Sequence, residues 1–228
     1  MAGIVVKKIK RPPRELVERF RNLSVSTLHE AIGKNVRNLM DPGIKPVAPE
    51  MKLVGTAVTV QCYPGDNITV HRAMALAEPG DVLVIDGGGI LGVMFGAQMA
   101  YQSHRQGIAG VVVDGSVRDV AEIRRMGFPC FARVISPQGS AKENPGSINI
   151  PIKCGGVVVR PGDIIVGDDD GVVVVRPENA GEVLEKAIER ERREEELRKL
   201  MDQGRTSYEL YNFEKIFREK GVKEVDEL

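Results

Sequence analysis

The chain has 228 residues, 42% of them hydrophobic, and its Lys plus Arg and Asp plus Glu each total 32, for a formal net charge of +0. That composition supports a globular core and leaves neither the basic excess of a nucleic-acid binder nor a disordered acidic tail. Small-molecule or protein partners are expected, with no nucleic acid, no membrane and a cytoplasmic setting, because no apolar run reaches spanning length and the opening MAGIVVKKIKRPPRE lacks a signal-peptide core.

Helices are predicted over 13–21 and from Ser24 or Ser26, where SVSTLHEA offers hydroxyl N-caps. The proline-bearing segment from about 35 to 50 reads as an ordered loop leading to the strand KLVGTAVTVQCY. The turn PGDN precedes a helix near 68–77, and the turn EPGD precedes the strand VLVIDG. The next helix is expected to begin within GGILGVMFG and to end near His104 to Gly107, before the strand GVVVDGSV. Strand, helix and strand in succession argue for a parallel pair. A short helix over 120–126 and the strand FPCFARV follow. From 148 to 175, β-rich runs separated by CGG, RPGD and DDDG read as antiparallel hairpins forming a separate β layer. A long helix over about 177–202, closed by Gly204, carries a partly apolar stripe through Val183, Leu184, Ala187 and Ile188, and an amphipathic tail suited to docking on a neighbouring surface ends the chain. The reading is an α/β fold in one domain over 1–228, with a core at about 23–176 and a helix and tail at about 177–228.

Gly87, Gly89 and Gly92 fit GxGxxG after a strand, and Asp114 ends the following strand where a dinucleotide fold places its ribose-binding acid. An adenosyl or dinucleotide cofactor is one reading of that motif. The others are a tight strand-to-helix turn, or helix-start N–H groups that bind a different anion. Cys62, Cys130 and Cys154 form no CxxC pair and are expected to be reduced, buried thiols. His29, His71 and His104 lack metal-ligand spacing and read as surface or structural residues, and DDDG at 168–171 reads as a hairpin turn. Arg118 and Asp119 end the strand GVVVDGSV at the same sheet edge as the Gly-rich turn. Arg118 offers a fork for a carboxylate and Asp119 an oxygen for Mg²⁺ or Mn²⁺; the plainer alternatives are a surface ion pair or a cap on the next helix.

GVVVDGSVRDVAEIRRMGFPCFAR, followed by GGVVVRPGDIIVGDDDGVVVV, resembles the metal-dependent 4-hydroxy-4-methyl-2-oxoglutarate and 4-carboxy-4-hydroxy-2-oxoadipate aldolases. Their relatives include the regulator of ribonuclease activity A and proteins labelled demethylmenaquinone methyltransferases. The similarity runs from LSVSTLHEA near residue 23 to the helix near residue 200. It implies a swivelling β/β/α domain, phosphohistidine-domain-like, assembled as homotrimers, sometimes paired into hexamers, with active sites between subunits. It also implies a retro-aldol lyase, able to decarboxylate oxaloacetate through the same pyruvate enolate, that uses Mg²⁺ or Mn²⁺. Arg118 would bind the pyruvyl carboxylate and stabilise the enolate, Asp119 would sit at the metal, and Gln98 and Met99 would offer backbone N–H groups. The aldolases carry an Asp where this chain has Ala97, so Glu122 or an acid from another subunit is the expected substitute. A C-terminal acidic pair is matched by Glu189 and Glu194. Five positions turn a helix by about 500°, so only one of them, taken as Glu194 of a neighbouring subunit, would reach the metal. A ribonuclease-binding regulator on the same fold is the non-catalytic alternative.

Overall fold

The computed structural model describes residues 3–88 and 92–227. In chain order the elements are α1 (Arg14–Glu18), α2 (Val25–Ile32), β1 (Lys45–Pro46), β2 (Leu53–Gln61), α3 (Ile68–Met74), β3 (Asp81–Asp86), β4 (Val93–Phe95), α4 (Ala97–Arg105), β5 (Gly110–Val117), α5 (Val120–Met126), β6 (Cys130–Ile135), β7 (Ser147–Ile148), β8 (Ile152–Cys154), β9 (Val157–Val159), β10 (Ile164–Asp168), β11 (Gly171–Val175), α6 (Ala180–Asp202), α7 (Ser207–Leu210) and α8 (Phe213–Glu219). They fall into two compact units that divide after Ala187.

In the first unit, β2, β3, β5 and β6 run parallel, as strands separated by helices must. Their Val- and Ile-rich runs are apolar throughout because both faces are covered. The sheet order is β1-β6-β5-β3-β2-β10-β11. The hairpin β10–β11 therefore joins the main sheet through β2, and the expected separate layer reduces to the two-stranded β8–β9. Alternation explains why every residue of β11 is buried: Val172 and Val174 enter the core that holds Leu83 and Phe131, while Val173 and Val175 enter a second core with Phe20, Leu28 and Leu184. A lone bridge from Leu39 to Val173 and the pairing of Lys45 with Ala132 put residues 39–46 against both edge strands, so the sheet is nearly closed. The acidic run is the hairpin turn its spacing suggested. Asp168 pairs with Gly171 across Asp169 and Asp170, and its Oδ2 accepts from the Val25 N–H at 2.9 Å, beside the Ser24 N-cap of α2.

The Gly-rich segment departs from expectation. Gly92 leads into the strand β4 rather than a helix, and α4 starts only at Ala97. A dinucleotide fingerprint needs the helix N-terminus directly after the glycines, and the described part of the motif has none; Gly89 lies outside the described residues. In the second unit a capping box of Thr206 and Glu209 starts α7, and Tyr208 packs edge-on against Phe213 and Phe217. Tyr211, Ile216 and Phe217 are exposed there. No helix among the described residues is long and apolar enough to cross a membrane.

Candidate functional site

Because β2, β3 and β5 are parallel, the loops after their carboxyl ends gather on one edge of the sheet, where open α/β sheets bind ligands. A cavity of about 300 Å³ opens among them, lined by Asn67 and His71 of the α3 start, Gln98 and Met99 of α4, and Arg118 and Asp119 beyond β5, together with Ser140 and Lys142 of the loop after β6. Four residues singled out from the sequence thus share one cavity.

Asp119 sits at φ 58°, ψ 31°, a left-handed conformation that costs a non-glycine residue about 1 kcal/mol or more. It precedes α5 without capping it; its Oδ2 instead accepts from the Ala97 N–H at 3.3 Å and lies 3.4 Å from Arg118 Nε. No Oδ1 partner is found among the described residues, and both side chains of the pair are 47% exposed. Gly96 permits the close approach, since a Cβ there would stand 3.0 Å from Asp119 Oδ2 and 3.2 Å from Arg118 Cγ.

The first intrahelical bond of α4 runs from the Ala100 N–H to the Gly96 carbonyl. Helix geometry leaves the earlier N–H groups without such partners. Asp119 takes that of Ala97, so those of Gln98 and Met99 remain as donors beside Arg118. Asn67 is 6% exposed; its Nδ2 donates to Met99 Sδ at 3.7 Å, and its Oδ1 is buried with no partner. Partial burial, and then the Lys142 ammonium, hold the His71 pKa below its usual value, so the imidazole is neutral at pH 7.

Asp66 builds the wall that carries Lys142. Fully buried, it accepts from the N–H groups of Ile68 at 2.9 Å, Glu143 at 2.6 Å and Asn144 at 2.7 Å, which ties the loop after β6 to the start of α3. Burial works to raise its pKa, and these N–H groups outweigh it, so the carboxyl titrates below the usual range. Sequence reasoning passed over Asn67, Ser140 and Lys142 and read His71 as a surface or structural residue, whereas it lines the cavity. Asn67 and His71 carried a usable signal, since i, i+4 spacing from the last residue of the PGDN turn sets both on one side of the helix that follows. Ser140 and Lys142 carried none.

Among the lining residues Asp119 is the one carboxylate. Ala97 opens α4 with its side chain buried, and Glu122 is not among the lining residues. Glu194 lies in the second unit, where its Oε1 pairs with Arg190 Nε at 3.0 Å. No group of three His, Cys, Asp or Glu side chains suited to a metal occurs among the described residues. The open Asp119 Oδ1 and the orphaned Asn67 Oδ1 are nonetheless hard oxygen donors, of the kind and number with which Mg²⁺ is held when water and substrate complete the shell. Asp114 is structural: its Oδ1 accepts from Arg133 Nε and its Oδ2 from the Gly155 N–H, both at 2.6 Å. The three cysteines are free and buried, and burial pushes the Cys130 thiol up to about 12.

Comparison with known proteins adds three relatives to this geometry. The sequence model of a family described as RraA-like, Aldolase/RraA, matches residues 25–174. A protein of Halalkalibacterium halodurans named "Putative 4-hydroxy-4-methyl-2-oxoglutarate aldolase" is 41% identical over 76% of this chain and 82% of its own. A 4-hydroxy-4-methyl-2-oxoglutarate aldolase of Thermus thermophilus is 37% identical over 54% of this chain and 76% of its own. Among solved structures, Streptomyces coelicolor RraAS2, described as an unusual member of the RNase ES inhibitor RraA protein family, superposes with a TM-score of 0.77 at 31% identity, covering 84% of this chain and 99% of that one.

Proposed function

The chain belongs to the RraA-like family, and on that premise we propose that it is a divalent-metal-dependent lyase. Its reactions would be the cleavage of a 4-hydroxy-2-oxo dicarboxylic acid to pyruvate and the decarboxylation of oxaloacetate. The observation that carries this reading is the convergence, in one cavity, of the Arg118 guanidinium, the free N–H groups of Gln98 and Met99, and an open oxygen of Asp119. Guanidinium and N–H donors suit the carboxylate of a 2-oxo acid. Arg118 and Lys142 against the single carboxylate of Asp119 leave the lining positive, which favours a dianion.

Asp119 and Asn67 would hold Mg²⁺ or Mn²⁺, and the ion would serve as a Lewis acid toward the 2-oxo group. In the retro-aldol direction the 4-hydroxyl gives up its proton, the C3–C4 bond breaks, and its electron pair passes to C3 as the enolate of pyruvate. Neutral His71 is the imidazole available to take that proton. Arg118 would stabilise the enolate oxygen, and protonation at C3 would complete pyruvate. Decarboxylation of oxaloacetate reaches the same enolate with loss of CO2 and needs no hydroxyl proton removed. The assembly we propose is a homotrimer or hexamer, with Glu194 of a neighbouring subunit supplementing the single carboxylate.

Pyruvate release from oxaloacetate and from 4-hydroxy-2-oxo dicarboxylates, with and without Mg²⁺, tests the proposal, with Asp119→Ala as control. Turnover on either substrate that needs the ion and Asp119 supports it; none on any substrate ends it. The 31% identity to RraAS2 over 84% of the chain favours a second reading, ribonuclease inhibition without catalysis. Inhibition of an RNase E-type enzyme by a chain without lyase activity would select that reading.

A further inference from the structure

A second cavity, of about 210 Å³, shares no residue with the first and lies among the end of α2, residues 36–38, β9, β11 and the opening turns of α6. Drug-sized ligands occupy about 300 Å³ or more, so its occupant is smaller. One side is apolar, with Val157, Val174 and Val183 all buried. The other side is rich in donors and short of acceptors.

Its polar groups show what is left to bind. Arg176 is committed to Asp163 and to the Val158 carbonyl, and Lys186 Nζ takes Glu182, the one carboxylate in the lining, at 2.6 Å. Arg37 forms no hydrogen bond or ion pair among the described residues. Its neighbour Asn38 is 5% exposed, with Oδ1 set 3.0 Å from His29 Nδ1 and Nδ2 buried without a partner. A buried N–H left unmade costs about 1–3 kcal/mol, which an acceptor entering the cavity would recover. Arg37, Arg176 and Lys186 against Glu182 also leave the lining positive. A guanidinium and an amide N–H on adjacent residues, in one lining with three buried valines, match a negatively charged head on a short apolar body.

We propose that this cavity binds a small aliphatic carboxylate, its head on Arg37 and Asn38 Nδ2 and its chain against Val157, Val174 and Val183. The site is independent of the lyase reading, because neither its residues nor its assay involve Arg118 or pyruvate release. Calorimetric titration of the full chain with hexanoate, 1-hexanol and inorganic phosphate tests it. Hexanoate is expected to bind saturably, with hexanol and phosphate each weaker by about tenfold or more. Arg37 is exposed, so Arg37→Glu leaves the fold intact, and it should weaken hexanoate by a similar factor, whereas Arg118→Ala should leave the affinity unchanged. Five results would each overturn the proposal: no hexanoate binding, hexanol binding as tightly, phosphate binding as tightly, affinity that survives Arg37→Glu, or affinity lost with Arg118→Ala.

Discussion

Two arginine–aspartate pairs belong to β5 and its neighbours, and they are built to opposite ends. Arg133 Nε meets Asp114 Oδ1 at 2.6 Å with side-chain exposures of 27% and 14%, and the second Asp114 oxygen takes the Gly155 N–H. Arg118 Nε and Asp119 Oδ2 lie 3.4 Å apart, each side chain 47% exposed, and Asp119 holds a left-handed backbone with a side chain that caps no helix. The first pair commits both Asp114 oxygens, with Arg133 Nη1 held by Asp41 as well, and ties β5 to β6 and to the β8–β9 hairpin. The second leaves a guanidinium and a carboxylate oxygen uncommitted in a cavity. Residue type is the same in both pairs, so what separates a structural pair from a candidate catalytic one is which atoms remain available.

Exchanging carboxylate for amide or alanine in each pair should separate the two roles. Asp119→Asn keeps the size and tolerates the left-handed conformation, so the melting temperature should hold within about 2 °C. Metal-dependent pyruvate release should fall roughly a thousandfold, about 4 kcal/mol. A smaller effect is expected from His71→Gln: retro-aldol turnover should drop about a hundredfold, with oxaloacetate decarboxylation unchanged, as steady-state assays on both substrates would show. Equal losses on both would remove His71 from proton transfer and leave it a wall residue. Asp114→Ala should do the reverse of Asp119→Asn. It leaves Arg133 with Asp41 as its remaining carboxylate and the Gly155 N–H unmet, at a cost of about 2–3 kcal/mol, seen as a fall of roughly 5–10 °C in melting temperature, while activity per folded molecule is retained.

The sequence made one half of this contrast visible. An apolar run that ends in SVRD places Arg118 and Asp119 at a strand terminus, and the structure puts them there. The long strands were legible for the same reason, since Val and Ile runs buried on two faces have one plausible home. The register that carries the β10–β11 hairpin into the main sheet was not legible, because it depends on pairing Val166 with the distant Val54. β4 was missed because three residues after a Gly-rich turn hold no period, and the helix pattern of α4 seemed to start earlier. Lys142 reaches the cavity only because buried Asp66 gathers the N–H groups of Glu143 and Asn144. That link joins loops more than seventy positions apart, and no local pattern encodes it.

A third carboxylate sharpens the comparison from the side of a charge with no cation near it. Asp86 ends β3 in parallel register with Asp114, and it accepts the Gly88 N–H at 3.1 Å without an arginine of its own. Burial first, and the Asp114 charge after it, raise its pKa, with the Gly88 N–H working against them. The sign follows from linkage: a carboxyl raised in the fold binds its proton more tightly folded than unfolded, so it favours folding at low pH, and this contribution is lost as pH rises through its folded pKa. Asp86→Asn has no proton to lose there. The variant should therefore melt higher than the parent at pH 7, with the difference closing by about pH 3, where the parent carboxyl is protonated in both states. Asp114→Asn measured across the same range should be less stable than the parent at pH 7, because one of the two accepting oxygens becomes an NH2 donor set against Arg133 or the Gly155 N–H. If Asp86→Asn also lowers the melting temperature at pH 7, Asp86 is held by a favourable partner.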